Sequence, residues 1–107
     1  MGKGSVVVVM VSAPDVERAS SLARDLVEKR LAACVNLVQG IRSFYRWEGE
    51  ICQDQEVLLW IKTRKELLGS LVQAIRSVHP YELPEILALD VAGGLPEYMA
   101  WVQDETS

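Results

Sequence analysis

The only histidine of the chain, His79, lies in the segment His79-Pro80-Tyr81-Glu82. Imidazole is a frequent metal ligand and titrates near neutral pH, and the carboxylate of Glu82 lies three residues away. This pair could bind a borderline metal ion or move a proton. The structural alternative is that His79 follows a helix and interacts with its last carbonyl groups, while Pro80 and Glu82 belong to a loop.

The two cysteines, Cys34 and Cys52, do not form a metal-binding or disulfide motif, because the sequence has neither a Cys-x-x-Cys nor a His-x-x-x-His spacing. They flank a predicted hairpin, so we expect them to lie far apart. The Cys34 thiol is either a small buried apolar group or, as a thiolate, a ligand for a soft metal. A cysteine nucleophile would need His79 as its base, and no spacing indicates that pairing, so we expect no enzyme activity.

Three aromatic residues, Tyr45, Trp47 and Trp60, fall in the region predicted to form the hairpin. They could line a ligand pocket. Aromatic side chains on a long hairpin more often fill an interface, where they bury large areas, and we favour that interpretation.

The elements that must position these residues follow from hydrophobic periodicity. Strands are predicted over 6–11, 33–47 and 51–63, with a bulge or bend at Gln39-Gly40 and a turn at Glu48-Gly49-Glu50. Helices are predicted over 15–30, with Asp15 as the N-cap, and from Glu66 to just before Pro80. A last strand over 85–91 and a short helix after Pro96 complete the chain.

This order, strand-helix-strand-strand-helix-strand, is that of the α+β, ferredoxin-like βαββαβ sandwich, here with a long hairpin and a short C-terminal helix. Residues 1–107 form a single domain, and we expect the ends, 1–5 and 103–107, to be flexible.

Composition narrows the partners. Fifteen acidic against eleven basic residues give a net charge of -4, which argues against binding to nucleic acid. The longest apolar run, 6–11, is far shorter than the roughly 20 residues of a membrane-spanning helix, so we expect no membrane insertion. The sequence shows no cleaved signal, and we expect a cytoplasmic protein.

Both faces of the predicted sheet are apolar. The first strand presents Val7, Val9 and Val11 on one side and Val6, Val8 and Met10 on the other. Two helices can cover only one face, so we predict that neighbouring subunits cover the second face. The alternative is that the terminal helix around Trp101 folds back over it.

Several motifs together resemble those of the CutA family, the divalent-cation tolerance proteins, from about Val6 to Val102. They are Ala13-Pro14-Asp15, Glu28-Lys29-Arg30-Leu31-Ala32-Ala33-Cys34-Val35-Asn36, Tyr45-x-Trp47-x-Gly49-x-Ile51, Lys62-Thr63, His79-Pro80-Tyr81-Glu82, Pro84-Glu85 and Tyr98-x-x-Trp101.

The resemblance implies a ferredoxin-like protomer in a homotrimer that binds divalent metal ions, with copper the leading candidate. Proposed ligands of the family correspond to Cys34 and His79, and Glu82 is a further donor beside them. A third family ligand, a cysteine two residues before Ala13-Pro14-Asp15, is replaced by Val11. Because copper and zinc usually take three or four ligands, we expect weak binding unless a neighbouring subunit contributes a donor.

A second hypothesis is a ligand-sensing trimer, because the implied assembly is similar to that of PII-type signalling proteins. It predicts a small anionic or nucleotide-like ligand in an intersubunit cleft near Lys29, Arg30 or Lys62. Membrane anchoring of acetylcholinesterase, associated with some animal members, finds no supporting membrane segment in this sequence.

Overall fold

The computed structural model describes residues 5–107. One antiparallel sheet of four strands packs against helices in an α+β arrangement, which confirms the predicted fold class. The elements in chain order are β1 (Val6–Ala13), α1 (Val16–Glu28), β2 (Cys34–Trp47), β3 (Glu50–Arg64), a 3₁₀ turn (Lys65–Leu67), α2 (Leu68–Val78), β4 (Ile86–Asp90) and α3 (Pro96–Glu105).

The strands lie in the order β2-β3-β1-β4. Strand β1 is central, with β3 on one side (Val9 opposite Ile61) and β4 on the other (Val9 opposite Ala88). Its position explains the unbroken apolar run of β1, because both faces of a central strand are available for packing.

Helix α1 begins as predicted, since the Asp15 carboxylate accepts a hydrogen bond from the Arg18 amide at 2.8 Å. It ends at Glu28, two residues before the predicted end. Arg30 has a φ of 59°, and the Leu31 amide donates to the Leu26 carbonyl. This is a Schellman termination, and the sequence does not signal it because an arginine replaces the usual glycine.

The long hairpin of β2 and β3 turns at Glu48 and Gly49, whose φ values of 51° and 83° fit the type I′ turn that the twist of paired strands prefers. The predicted irregularity at Gln39-Gly40 is a β-bulge. There the register moves from Val38 opposite Leu58 to Ile41 opposite Glu56, and Gly40 has a φ of 76°.

The core lies between one face of the sheet and helices α1 and α2. From the sheet come Val7, Val9, Val11, Leu59 and Ile61, and from the helices come Ala19, Leu22, Leu26, Leu71 and Ile75. We call this side of the sheet the covered face. Leu58 and Trp60, in the same apolar run of β3, point the other way and are only half-buried.

The opposite side, which we call the open face, carries Val8, Met10, Leu58, Trp60, Leu87 and Leu89. Helix α3 packs at one end only, where Val102 contacts Val6 and Ala33. Away from that end, Leu87 and Leu89 remain 56% and 48% exposed. The back-folded terminal helix therefore covers part of the open face, and no other described segment covers the rest.

The C-terminal residues, expected to form a flexible tail over 103–107, lie in helix α3 and in the turn that follows it. Helix α3 continues to Glu105, and Thr106 is 2% exposed. The Arg64 guanidinium donates to the Thr106 hydroxyl at 3.0 Å and to its carbonyl at 2.7 Å. The sequence does not reveal this contact, because the segment 103–107 is polar and Arg64 lies 42 residues before Thr106. At the other end, residues 1–4 of the predicted flexible segment lie outside the described residues.

Within residues 5–107, no helix is long and apolar enough to span a membrane.

Candidate functional site

Cys34 begins β2 on the open face and pairs with Lys62 of β3. The Lys62 ammonium lies 3.6 Å from the Cys34 sulfur and also donates to the Asn36 side-chain oxygen. The Tyr98 hydroxyl of α3 interacts with the same sulfur. Burial of this hydroxyl raises its pKa, and the interaction with Cys34 raises the pKa further. The thiol is half-buried, so the buried-packing and ligand interpretations both keep some support.

His79 follows α2 and lies at the other end of the sheet. Its Nδ1 accepts a hydrogen bond from the Tyr81 amide at 3.2 Å. Because a neutral imidazole with Nδ1 as acceptor carries its proton on Nε2, the 2.7 Å contact from Nε2 to the Ser12 carbonyl is a donated hydrogen bond. Both ring nitrogens therefore have partners inside the protomer.

This geometry tests the local role considered for His79. Its backbone amide donates to the Ile75 carbonyl and closes α2, while its ring is directed to β1 rather than to the last carbonyls of the helix. The ring connects the loop after α2 to the end of β1. These contacts indicate that the ring holds the loop against β1.

The structure does not bring Cys34 and His79 together within one protomer. Cys34 is level with Lys62 of β3, whereas Ser12, the partner of His79, is level with Leu58. Four residues of strand separate these levels by roughly 13 Å. Among the described residues no group of three or more histidine, cysteine, aspartate or glutamate side chains could hold a metal ion.

Glu82, the third predicted donor, is exposed in the loop between α2 and β4. This loop and the distal part of the hairpin enclose a cleft of about 760 Å³. Glu82 lines the cleft together with Glu56, Tyr81, Tyr45, Trp47 and Arg46, among others. Tyr45 and Trp47 were predicted to fill an interface, and in the protomer they form part of the wall of this cleft.

Two tyrosines that line the cleft are each hydrogen-bonded to a carboxylate. The Tyr81 hydroxyl donates to Glu56 Oε2 at 2.6 Å, and the Tyr45 hydroxyl donates to Asp54. Burial, followed by the Glu56 hydrogen bond, raises the pKa of Tyr81. The hydrogen bond to Asp54, with a smaller contribution from burial, raises the pKa of Tyr45 to about 12. Both hydroxyls therefore remain protonated hydrogen-bond donors at neutral pH.

Sequence reasoning missed Glu56, a carboxylate that is 7% exposed. It precedes the apolar run 57–61 and reads as the polar end of a strand. One signal was present: Glu56 lies across the strand pair from the bulge in β2, and bulges are frequent beside functional sites.

The three cations named for an anionic ligand do not line this cleft. Lys29 pairs with Asp25 at 3.1 Å, and Arg30 pairs with Glu105 at 3.9 Å. Lys62 lies at the Cys34 end of the sheet.

Comparison with known proteins places this arrangement in a family. Residues 7–105 match the family described as "CutA1 divalent ion tolerance protein". The divalent-cation tolerance protein CutA of Thermus thermophilus is 46% identical over 92% of this chain and 96% of its own length. Mouse protein CutA is 50% identical over 96% of this chain, which spans only 58% of the mouse protein.

A solved structure of the Thermus thermophilus divalent cation tolerance protein has a TM-score of 0.93 to this protomer, with 45% identity over 95% of this chain and 99% of that one. A match over nearly the whole chain, together with this likeness of fold, shows the family. The chain belongs to the CutA1 divalent ion tolerance protein family.

Proposed function

We propose that the protein is a non-enzymatic, cytoplasmic homotrimer that binds a divalent metal ion, with copper the leading candidate, through Cys34, His79 and Glu82. The observation that carries the proposal is the position of Cys34 on the open face. Its thiol lies beside a sheet surface that the protomer leaves partly uncovered and that a neighbouring subunit would cover.

The separation of the donors determines how such a site must form. Cys34 and His79 lie at different levels of the sheet, roughly 13 Å apart along the strand direction. A site that uses both therefore takes them from different subunits. Copper and zinc need three or four ligands, which an assembled site can provide.

His79 binds a metal ion only if its ring gives up one of its present hydrogen bonds, to the Tyr81 amide or the Ser12 carbonyl. This cost favours modest affinity. Glu82 is exposed and forms no ion pair with any residue in the range 5–107, so it is available as an oxygen donor.

Native mass spectrometry with Cu²⁺ and Zn²⁺ tests assembly and metal binding in one experiment. We expect a trimer that takes up ions in multiples of three, with uptake reduced in Cys34→Ser, His79→Ala and Glu82→Gln. Glu66→Gln, which removes an exposed carboxylate from the 3₁₀ turn, is the matched control. A bare trimer would contradict metal binding, and unchanged uptake in one variant would remove that residue from the site.

A second candidate is a small-ligand sensor, and the cleft of about 760 Å³ supports it because this volume suits a small molecule. A thermal-shift screen of metabolites tests this function. A ligand that raises the unfolding temperature in metal-free buffer would favour it over metal binding.

A further inference from the structure

Glu56 is a buried carboxylate without a cationic partner among residues 5–107. It is 7% exposed, and its one hydrogen bond comes from the neutral Tyr81 hydroxyl to Oε2. No lysine, arginine or histidine in the described part of the chain forms an ion pair with it. The other oxygen, Oε1, is not among the buried atoms that lack a partner, and Glu56 lines the cleft, so this oxygen can be reached from the cleft by a positive group.

The side chains that line the cleft carry a net negative charge, like that of Glu56 itself. Three carboxylates, from Glu56, Glu82 and Glu85, line it against a single guanidinium, from Arg46. Glu82 and Glu85 make no salt bridge with other described residues. This excess of negative charge favours a cation in this cleft. The anionic ligand expected from the sequence belongs to a different place, near Lys29, Arg30 or Lys62, which do not line the cleft.

The walls of the cleft suit an organic cation better than an inorganic one. Aromatic rings of Tyr45, Trp47 and Tyr81 line it, and ring faces attract ammonium groups while also packing against carbon chains. The volume is far larger than a metal ion needs, and no three metal-binding side chains converge in the part of the protein described here.

We propose that this cleft binds a small aliphatic amine, with an ammonium group on the free oxygen of Glu56 and the carbon chain against the rings of Tyr45 and Trp47. The proposal rests on the second function above, ligand sensing, and gives that ligand a chemical class. All the residues that it uses belong to one protomer, and one of them, Glu82, is also a proposed metal ligand, so amine binding is measured without metal.

Isothermal titration calorimetry in chelator-treated, metal-free buffer tests the proposal with three probes of the same chain length. These are putrescine, which carries two positive charges, 1,4-butanediol, which carries none, and succinate, which carries two negative charges. We expect saturable binding of putrescine alone. Equal or tighter binding of succinate or butanediol would overturn the proposal, as would the absence of putrescine binding.

Variants then locate the bound amine. Glu56→Gln keeps an acceptor for the Tyr81 hydroxyl but removes the charge, and we expect about a tenfold or greater loss of putrescine affinity. Glu66→Gln makes the same charge change outside the cleft and should leave binding unchanged. Trp47→Leu, at a surface residue, should weaken binding with little effect on the fold. Unchanged affinity in both Glu56→Gln and Trp47→Leu overturns the assignment.

A competition with Mg²⁺ separates an amine site from a general cation site. Putrescine should remain bound at an equal concentration of Mg²⁺, and its displacement would overturn the proposal. Because the titration contains no transition metal, its failure would leave metal uptake by the trimer intact. A failure of metal uptake would likewise leave amine binding intact.

Discussion

The two ends of the open face hold their candidate residues in opposite ways. At the Cys34 end, a thiol is half-buried between an ammonium and a phenol, with no backbone group dependent on it. At the cleft end, His79 and Tyr81 each hold another part of the chain in place. A residue such as His79, singled out in the sequence for its chemistry, can therefore serve mainly to position a loop.

The largest loss of stability is expected on removing the His79 side chain. His79→Ala loses two hydrogen bonds and leaves the carbonyl of the buried Ser12 without its partner. We expect the free energy of unfolding to fall by about 2 to 3 kcal/mol in metal-free buffer. Urea denaturation measures the effect, with Arg76→Ala on the exposed side of α2 as a control. A loss no larger than that of the control would show that the ring has no structural role.

Tyr81→Phe removes the one hydrogen bond that the buried Glu56 carboxylate accepts from a side chain within residues 5–107. We expect a loss of about 1 to 2 kcal/mol, since a buried acceptor loses its partner. Tyr98→Phe, which alters the Cys34 end instead, is the matched control and should cost less. Equal losses in the two variants, measured by urea unfolding, would remove the contrast between the ends.

Alkaline pH should destabilise the cleft end of the sheet through its two tyrosines, Tyr45 and Tyr81. Their pKa values are raised above the ordinary value of 10.0, to about 12 for Tyr45. Because the folded-state pKa is the higher one, the stabilising contribution is complete below pH 10 and is lost as the pH rises above it. We expect stability to fall between about pH 10 and about pH 12 by urea unfolding, and less steeply in Tyr81→Phe. An identical slope in wild type and variant would contradict this origin.

The smallest effect is expected at the other end. Cys34→Ser should change the free energy of unfolding by less than about 1 kcal/mol, because the side chain is half-buried and supports no backbone group. Its effect should appear in metal uptake instead. A stability loss as large as that of His79→Ala, measured under the same conditions, would show that Cys34 is a packing residue.

The fold followed from the sequence to a large extent because its signals are local. The β-branched run of β1, the Asp15 cap, the Glu48-Gly49 turn and the glycine at the bulge each identify an element from a few neighbouring residues. The end of α1 did not follow, since Arg30 adopts the conformation usually given to glycine. The anchoring of Thr106 by Arg64 depends on a contact between distant parts of the chain.

Less of the candidate site could be predicted from the sequence, because it depends on contacts between distant parts of the chain. The motif around His79 drew attention to the correct loop, but its hydrogen bonds to Ser12 and Tyr81 are tertiary contacts that composition does not reveal. Glu56 was missed because burial, rather than residue type, makes it unusual. The distance between Cys34 and His79 depends on strand register, which a single sequence leaves open.

The bulge at Gly40 decides which side chains can meet Glu56. Ahead of it, even-numbered residues of β2, such as Cys34, share the face of Lys62; beyond it, odd-numbered residues such as Tyr45 share the face of Cys52, Asp54 and Glu56. From Ile41 onward, odd-numbered residues of β2 therefore occupy the face that even-numbered residues occupy before the bulge. If the same residues paired without a bulge from Val38 onward, Phe44 and Arg46 would lie where Tyr45 and Trp47 now lie. The extra residue at the bulge is therefore as much a determinant of the cleft as the identity of the residues that line it.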